Sequence, residues 1–272
     1  MPILADCHMH THHSGDSDAP IEAMISRALE LGLKYICFTE HQDFDFVYEP
    51  GEPQGLFETD TDAYLKELRK MQAKYNDRLD IRFGIELGLQ THIAEQLKDY
   101  ASVYDFDFII GSSHLCNHKD PYLKNFFVGR DEQEAYLEYF TYIKECISSH
   151  LDFDVYGHLD YVLRYGPTKN TKFRYPDYQE VIDSILRALI EQGKGIELNT
   201  SGYAYALGAP HPCREILLRY KELGGEILTI GSDAHDPSHI ASDFNKAASL
   251  LTDCGFRHYC VFEHRKPIFY PF

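Results

Sequence analysis

The sequence predicts an α/β protein, a single domain in which seven βα units close a parallel sheet into a barrel. Three observations predict it. Short apolar runs alternate with segments of helical period. Each run leads into a histidine, a carboxylate or, in one case, an asparagine. No linker, repeat or low-complexity stretch divides the 272 residues. An open doubly wound sheet is the alternative, but it gathers its site at one switch point. Here every strand end contributes a polar group, which favours a closed or distorted barrel with its site at the carboxyl strand ends.

The elements follow in order. Strand one, Pro2–Cys7, runs into Asp6, His8 and His10, and the helix Ala19–Leu31 carries Ile21, Met24, Ile25, Ala28 and Leu29 on one face before Gly32 stops it. Strand two, Tyr35–Phe38, leads into Glu40 and His41. A long connection follows, with Phe44, Phe46, Tyr48 and Phe57, and then the helix Thr59–Tyr75, capped by Asp60 or Thr61. Strand three, Ile81–Ile85, ends at Glu86 and precedes a short helix, His92–Tyr100. Strand four, Phe106–Ile110, leads to His114 and the helix Asp131–Ser149. Strand five, Phe153–Tyr156, leads to His158, and the helix Pro176–Gln192 begins on proline and stops before Gly193. Strand six, Gly195–Leu198, ends at Asn199, with helix Pro212–Leu223 after it. Strand seven, Glu226–Ile230, leads to Asp233 and His235, with helix Ser238–Cys254 after it. The aromatic tail His258–Phe272 is expected to be a final strand or clamp.

Composition narrows the function. A net charge of −17 disfavours nucleic acid, which needs basic patches. It is compatible with an anionic substrate where divalent cations reverse the local field. No window approaches the roughly 20 apolar residues that span a bilayer, and the first ten residues carry no leader pattern. The seven cysteines are scattered, odd in number and without a CxxC pair. A reduced, cytoplasmic protein is therefore expected.

The strand-end residues are metal-ligand types. His8 and His10, two apart on an extended segment, leave the same face and can reach one ion. Asp6 shares their parity and is expected to orient a ligand. Asp233 and His235 repeat the spacing after strand seven. His114 and His158 each follow an apolar strand beside a glycine. Histidine with carboxylate and no cysteine cluster suits zinc, iron or manganese rather than calcium. The donors are too many for one ion, so two or three ions are expected, with a carboxylate such as Glu86 between two of them.

The motifs DCHMHTHHSGDSDA (6–19), ICFTEH (36–41), GIELG (84–88), GSSH (111–114), GHLDYVLRYG (157–166), IELNTSG (196–202) and GSDAH (231–235) resemble, in order and over nearly the whole chain, the PHP (polymerase and histidinol phosphatase) superfamily. Within it they resemble the histidinol-phosphate phosphatases. The resemblance implies a distorted (β/α)7 TIM-like barrel over residues 1–272 with three divalent metal ions. It implies that His8, His10, Glu86 and Asp233 hold the first ion. Glu86 bridges to a second completed by His114 and His158, and Asp16, His41 and His235 hold the third. Asp16 stands where many relatives carry histidine.

The implied reaction is hydrolysis of L-histidinol phosphate, in histidine biosynthesis, by a metal-bridging hydroxide. Asp233 or His235 would protonate the leaving oxygen. Arg164 matches the family's phosphate-gripping position. Relatives often carry a second basic residue in the loop after strand six, but here none precedes Arg214, so Arg214, Arg130 or Lys119 is expected to substitute. Asn199 is a further substrate-side candidate, and the aromatic loop Phe44–Phe57 a pocket wall or lid. Two other readings are a phosphatase for another small phosphate ester, such as a nucleotide or sugar phosphate, and a metal-binding regulatory module without catalysis. The intact ligand set argues against the second.

Overall fold

A computed structural model describes residues 2–149 and 152–272. Seven strands pair in the order of the chain, all parallel. They are β1 (Ala5–Asp6), β2 (Tyr35–Gln42), β3 (Asp80–Gly88), β4 (Phe108–Ser112), β5 (Val155–Tyr156), β6 (Gly195–Asn199) and β7 (Leu228–Gly231). The first and last strands meet: Cys7 N donates to Ile230 O at 2.9 Å, and Met9 bridges Ala234 in parallel. The sheet is thus a nearly closed, distorted (β/α)7 barrel. Gly231 belongs at this seam, since a Cβ there would stand 2.3 Å from His8 Cβ.

Among the described residues seven α-helices lie around the sheet: α1 (Ile21–Glu30), α2 (Thr61–Tyr75), α3 (Ala94–Val103), α4 (Glu132–Ser148), α5 (Tyr175–Glu191), α6 (Arg214–Glu222) and α7 (Phe244–Asp253). Each buries one stripe, as α5 does with Tyr178, Ile182, Ile185, Leu186 and Leu189. Asp60 caps α2 by accepting Ala63 N, and Asp131 caps α4 by accepting Gln133 N. Gly193, with φ of 69°, provides the left-handed residue just past α5. Sheet strands covered on both sides need no alternation, and all of β2 is buried.

Several boundaries differ from the sequence expectation. Strand one shrinks from Pro2–Cys7 to two residues, because the Asp6 carboxylate turns back on His8 N (3.4 Å) and interrupts the ladder. Strand two runs on to Gln42, so Glu40 and His41 belong to it. The last helix does not start at Ser238. A short 3-10 turn, Pro237–His239, is followed by Ala241 and Asp243 in left-handed conformations, and Ala241 N is drawn to Asp6 Oδ2 at 3.0 Å. Helix α7 begins only after that break.

The aromatic tail forms an antiparallel hairpin, β8 (His258–Glu263) with β9 (Lys266–Pro271). It clamps the amino-terminal end of the barrel. Tyr35 donates to Phe262 O at 2.6 Å, Arg265 N to Asp107 O at 2.9 Å, and Arg265 Nε pairs with Asp154 at 2.7 Å. The opposite end is left open for the site. Among the described residues no helix is long and apolar enough to cross a membrane.

Candidate metal centre

The carboxyl ends of the strands surround a cavity of about 690 Å³. His8 and His10 follow β1, Asp16 lies in the loop beyond, His41 is on β2 and Glu86 on β3. His114 follows β4, His158 follows β5, and Asp233 and His235 follow β7. All nine residues singled out in the sequence as ligands meet there.

Their donor atoms fall into three groups. His8 Nε2 and His10 Nε2 are 3.1 Å apart, and Glu86 Oε2 lies 3.3 and 3.6 Å from them. Asp233 Oδ1 stands 3.6 and 3.5 Å from the same two nitrogens. Tetrahedral ligands about 2.0–2.1 Å from a zinc ion stand about 3.3 Å from one another. The other oxygen of Glu86, Oε1, faces His114 Nε2 at 3.3 Å and His158 Nε2 at 2.9 Å. Asp16 Oδ2 lies 3.5 Å from His41 Nε2 and 3.2 Å from His235 Nε2. His41 also approaches Glu86 Oε2 through Nδ1, at 3.0 Å.

The far sides of four of the six rings are held, while His158 Nδ1 has no hydrogen-bond partner among the described residues. His8 Nδ1 donates to Glu197 Oε1 (2.6 Å), His114 Nδ1 to Asp43 Oδ1 (2.7 Å) and His235 Nδ1 to Asp233 O (3.0 Å). His10 Nδ1 donates to Ser14 Oγ (3.0 Å), which itself donates to Glu40 Oε2 (2.6 Å). With the proton fixed on Nδ1, each Nε2 turns a lone pair inward, the tautomer a metal-binding imidazole needs. Buried Glu86 Oε2 and His235 Nε2 have no hydrogen-bond partner among the described residues, and an orphaned buried polar atom is costly. This donor set therefore fits metal ions.

The electrostatics agree. Burial pushes the Glu86 carboxyl up, but His8, His114 and His41 outweigh it and hold the group well below the usual range. Burial likewise raises Asp233, against His8, His10 and Arg164, which hold it well below. Burial lowers His10, and His235 and His41 lower it further. Asp233 and His158 have positive φ, 56° and 22°, a conformation that non-glycine residues adopt rarely and often at functional sites.

Of the substrate-side candidates, Arg164 lines the cavity. It lies between Tyr161 and Tyr205, with its guanidinium carbon 4.9 and 4.4 Å from the ring centroids. Nε donates to His211 Nε2 (3.0 Å), and Nη2 to Ser201 Oγ (2.5 Å) and Asp233 Oδ2 (3.2 Å). Asn199 is buried and bonds Glu197 Oε2 (3.1 Å) and Asp233 Oδ2 (3.3 Å), behind the wall rather than on it.

Arg214 is a correction. It is the exposed first residue of α6 and does not line the cavity, because Asp160 Oδ2 holds Cys213 N (2.8 Å) and turns the helix start outward. Arg130 pairs instead with Glu138, and Lys119 is exposed in a turn with Cys116. Asp6 grips Ser232 N (2.9 Å) and Oγ (2.5 Å), so it orients the loop before Asp233 rather than a histidine ring. The aromatic loop divides: Phe46 and Phe57 line the cavity, while Phe44 packs edge-on against Tyr100.

The sequence reasoning missed Asp43, Glu197 and Glu40, which hold the ligand histidines or their loop. It also missed Asp160 and His211, which pair beneath Arg164. Glu197 had a signal: a carboxylate inside the apolar run of β6 has to find a buried partner.

Fold and site together define a class, the parallel barrel with a donor-rich pocket at its carboxyl strand ends. A model of the PHP domain matches residues 6–201. Histidinol-phosphatase of Lactococcus lactis subsp. lactis is 30% identical over 96% of this chain and 95% of its own. The probable histidinol-phosphatase of Clostridium acetobutylicum is 31% identical over 94% of this chain and 95% of its own. The crystal structure of the L. lactis histidinol phosphate phosphatase, complexed with zinc, L-histidinol and phosphate, superposes with a TM-score of 0.87 at 29% identity. It covers 97% of this chain and 98% of that one. The chain belongs to the PHP domain family.

Proposed function

We propose that this chain, working as one domain over residues 1–272, is a metal-dependent phosphomonoesterase that hydrolyses L-histidinol phosphate to L-histidinol and phosphate. The observation that carries the reading is Glu86, whose two buried oxygens face separate groups of imidazole nitrogens. The relatives' activity and the ligands in the L. lactis structure support the substrate. The proposed ligand sets are His8, His10, Glu86 and Asp233; Glu86, His114 and His158; and Asp16, His41 and His235. They would hold three divalent ions, of zinc, iron or manganese. Bound ions would supply Lewis acidity and a water of lowered pKa.

The side chains do the rest. Arg164, immobilised between two tyrosines, grips phosphate oxygens. Asp233 has two differently placed oxygens: Oδ1 towards His8 and His10, and Oδ2 beside Arg164, Asn199 and Ser201. Asp233 is held ionised by these partners, so Oδ2 would take the proton of the attacking water and pass it to the leaving oxygen, with His235 on the same wall as the alternative carrier. Exposed Glu49 and Glu52 line the mouth, with Asp120 buried in the wall. That acidic rim suits a substrate carrying an ammonium group and disfavours nucleotide and sugar phosphates. A cytoplasmic place in histidine biosynthesis completes the reading.

Chelation tests it. Phosphate release should vanish when metal is stripped and return with zinc in wild type, but not in Glu86→Gln, whose zinc content should also fall. A stripped protein of undiminished activity would overturn the reading.

A further inference from the structure

The segment HMHTHHSGDSDA carries four histidines, and the centre uses only the first two. His12 and His13 are the two central residues of a tight turn closed by Ser14 N donating to Thr11 O at 2.9 Å. Their rings lie 4.3 Å apart. Both Nε2 atoms converge on one oxygen of Glu67, on α2. Glu67 Oε2 is 3.2 Å from His12 Nε2 and 2.9 Å from His13 Nε2, and the three donor atoms lie within 4.8 Å of one another. His13 is held in place by its ring against Tyr64, one turn before Glu67 on the same helix, and by its N–H on Thr11 Oγ1.

We propose that His12, His13 and Glu67 form an outer divalent-cation site of the zinc class, separate from the nine residues of the centre. Two imidazoles and one carboxylate are ligands of the sort zinc takes, and the edges of 2.9 and 3.2 Å approach the roughly 3.3 Å of a tetrahedral site. His12 is 41% exposed, which leaves the fourth position to water. The site ties the β1–α1 loop to α2. That loop carries Ser14, whose Oγ bonds His10, Glu40 and His41 N, and Asp16 beyond it. A cation here would steady the groups behind the centre without touching the cavity, whose lining includes none of the three residues.

The test is zinc titration of the metal-loaded enzyme by equilibrium dialysis, comparing wild type with His12→Asn and Glu67→Gln. Both positions are partly solvent-exposed, so the variants should fold and keep their phosphatase activity. Wild type should take up about one more zinc per chain than either variant. It should also show a rise in Tm over that step that both variants lack. Equal zinc uptake and equal Tm shifts in all three proteins would overturn the proposal. The difference between wild type and variant is independent of how many ions the centre holds and of what substrate it takes.

Discussion

At the residue scale the molecule is governed by buried charge. Glu86 is fully buried, and a carboxylate there is tolerable only with several positive partners. Arg164 is the one guanidinium lining the cavity among the described residues. Arg164→Met should lower kcat/KM for a phosphate ester about 100-fold or more, since a guanidinium grips two oxygens at once. Arg164→Lys should recover only part of this. Steady-state kinetics on the zinc-loaded proteins checks both.

Asp120 gives a pH signature. Burial raises its carboxyl from 3.8 to about 6, against the hydrogen bond from Tyr122 N. Below the lower value it is protonated in both folded and unfolded chains and costs nothing. Between the two values the folded chain keeps a proton that the unfolded chain releases, so stability is lost as pH rises, up to roughly 3 kcal/mol above pH 6. In metal-free protein, Asp120→Asn should therefore gain stability over wild type at pH 7.5 and little at pH 4. Urea denaturation at the two pH values measures this, and an equal difference at both would contradict it.

At the scale of elements, the strand ends were legible because their signal is local: an apolar run, then a polar residue. Parallel strands buried on both faces keep that signature. The supports of the ligands were illegible because they come from elsewhere in the chain. Asp43 reaches His114 across 71 residues and Glu197 reaches His8 across 189. The break before α7 was hidden for the same reason, since the group that draws Ala241 N away is Asp6 on β1. Gly88 shows how tightly β3 serves the site. A Cβ there would lie 2.0 Å from Asp43 Oδ1 and push that carboxylate off His114. Gly88→Ala should reduce zinc affinity or activity about 10–100-fold, the usual loss when a partner of a ligand histidine is disturbed. Metal analysis and kinetics on the purified variant test it.

At the scale of the whole molecule, chemistry and stability sit at opposite ends of the barrel. The open end holds the donors, while the hairpin β8–β9 clamps the closed end. Phe262 is buried and stacks on Phe108 at 4.9 Å. Phe262→Ala should cost about 3–5 kcal/mol of stability and leave the kcat of the folded protein within a few-fold of wild type. Denaturant titration and kinetics on one preparation separate the two effects. The phosphate-side expectation failed at this scale. Arg214 follows Asn199 in sequence as a substitute cation would, yet Asp160 turns its helix outward, leaving a cavity with one described guanidinium and an acidic mouth.

That imbalance of charge makes substrate selectivity the most direct test. Phosphate release by the zinc-loaded protein should be measured with L-histidinol phosphate beside sugar, nucleotide and aryl phosphates. A kcat/KM for L-histidinol phosphate far above all the others is the expected result. A flat profile, or a preference for an ester without an amine, would contradict the assignment.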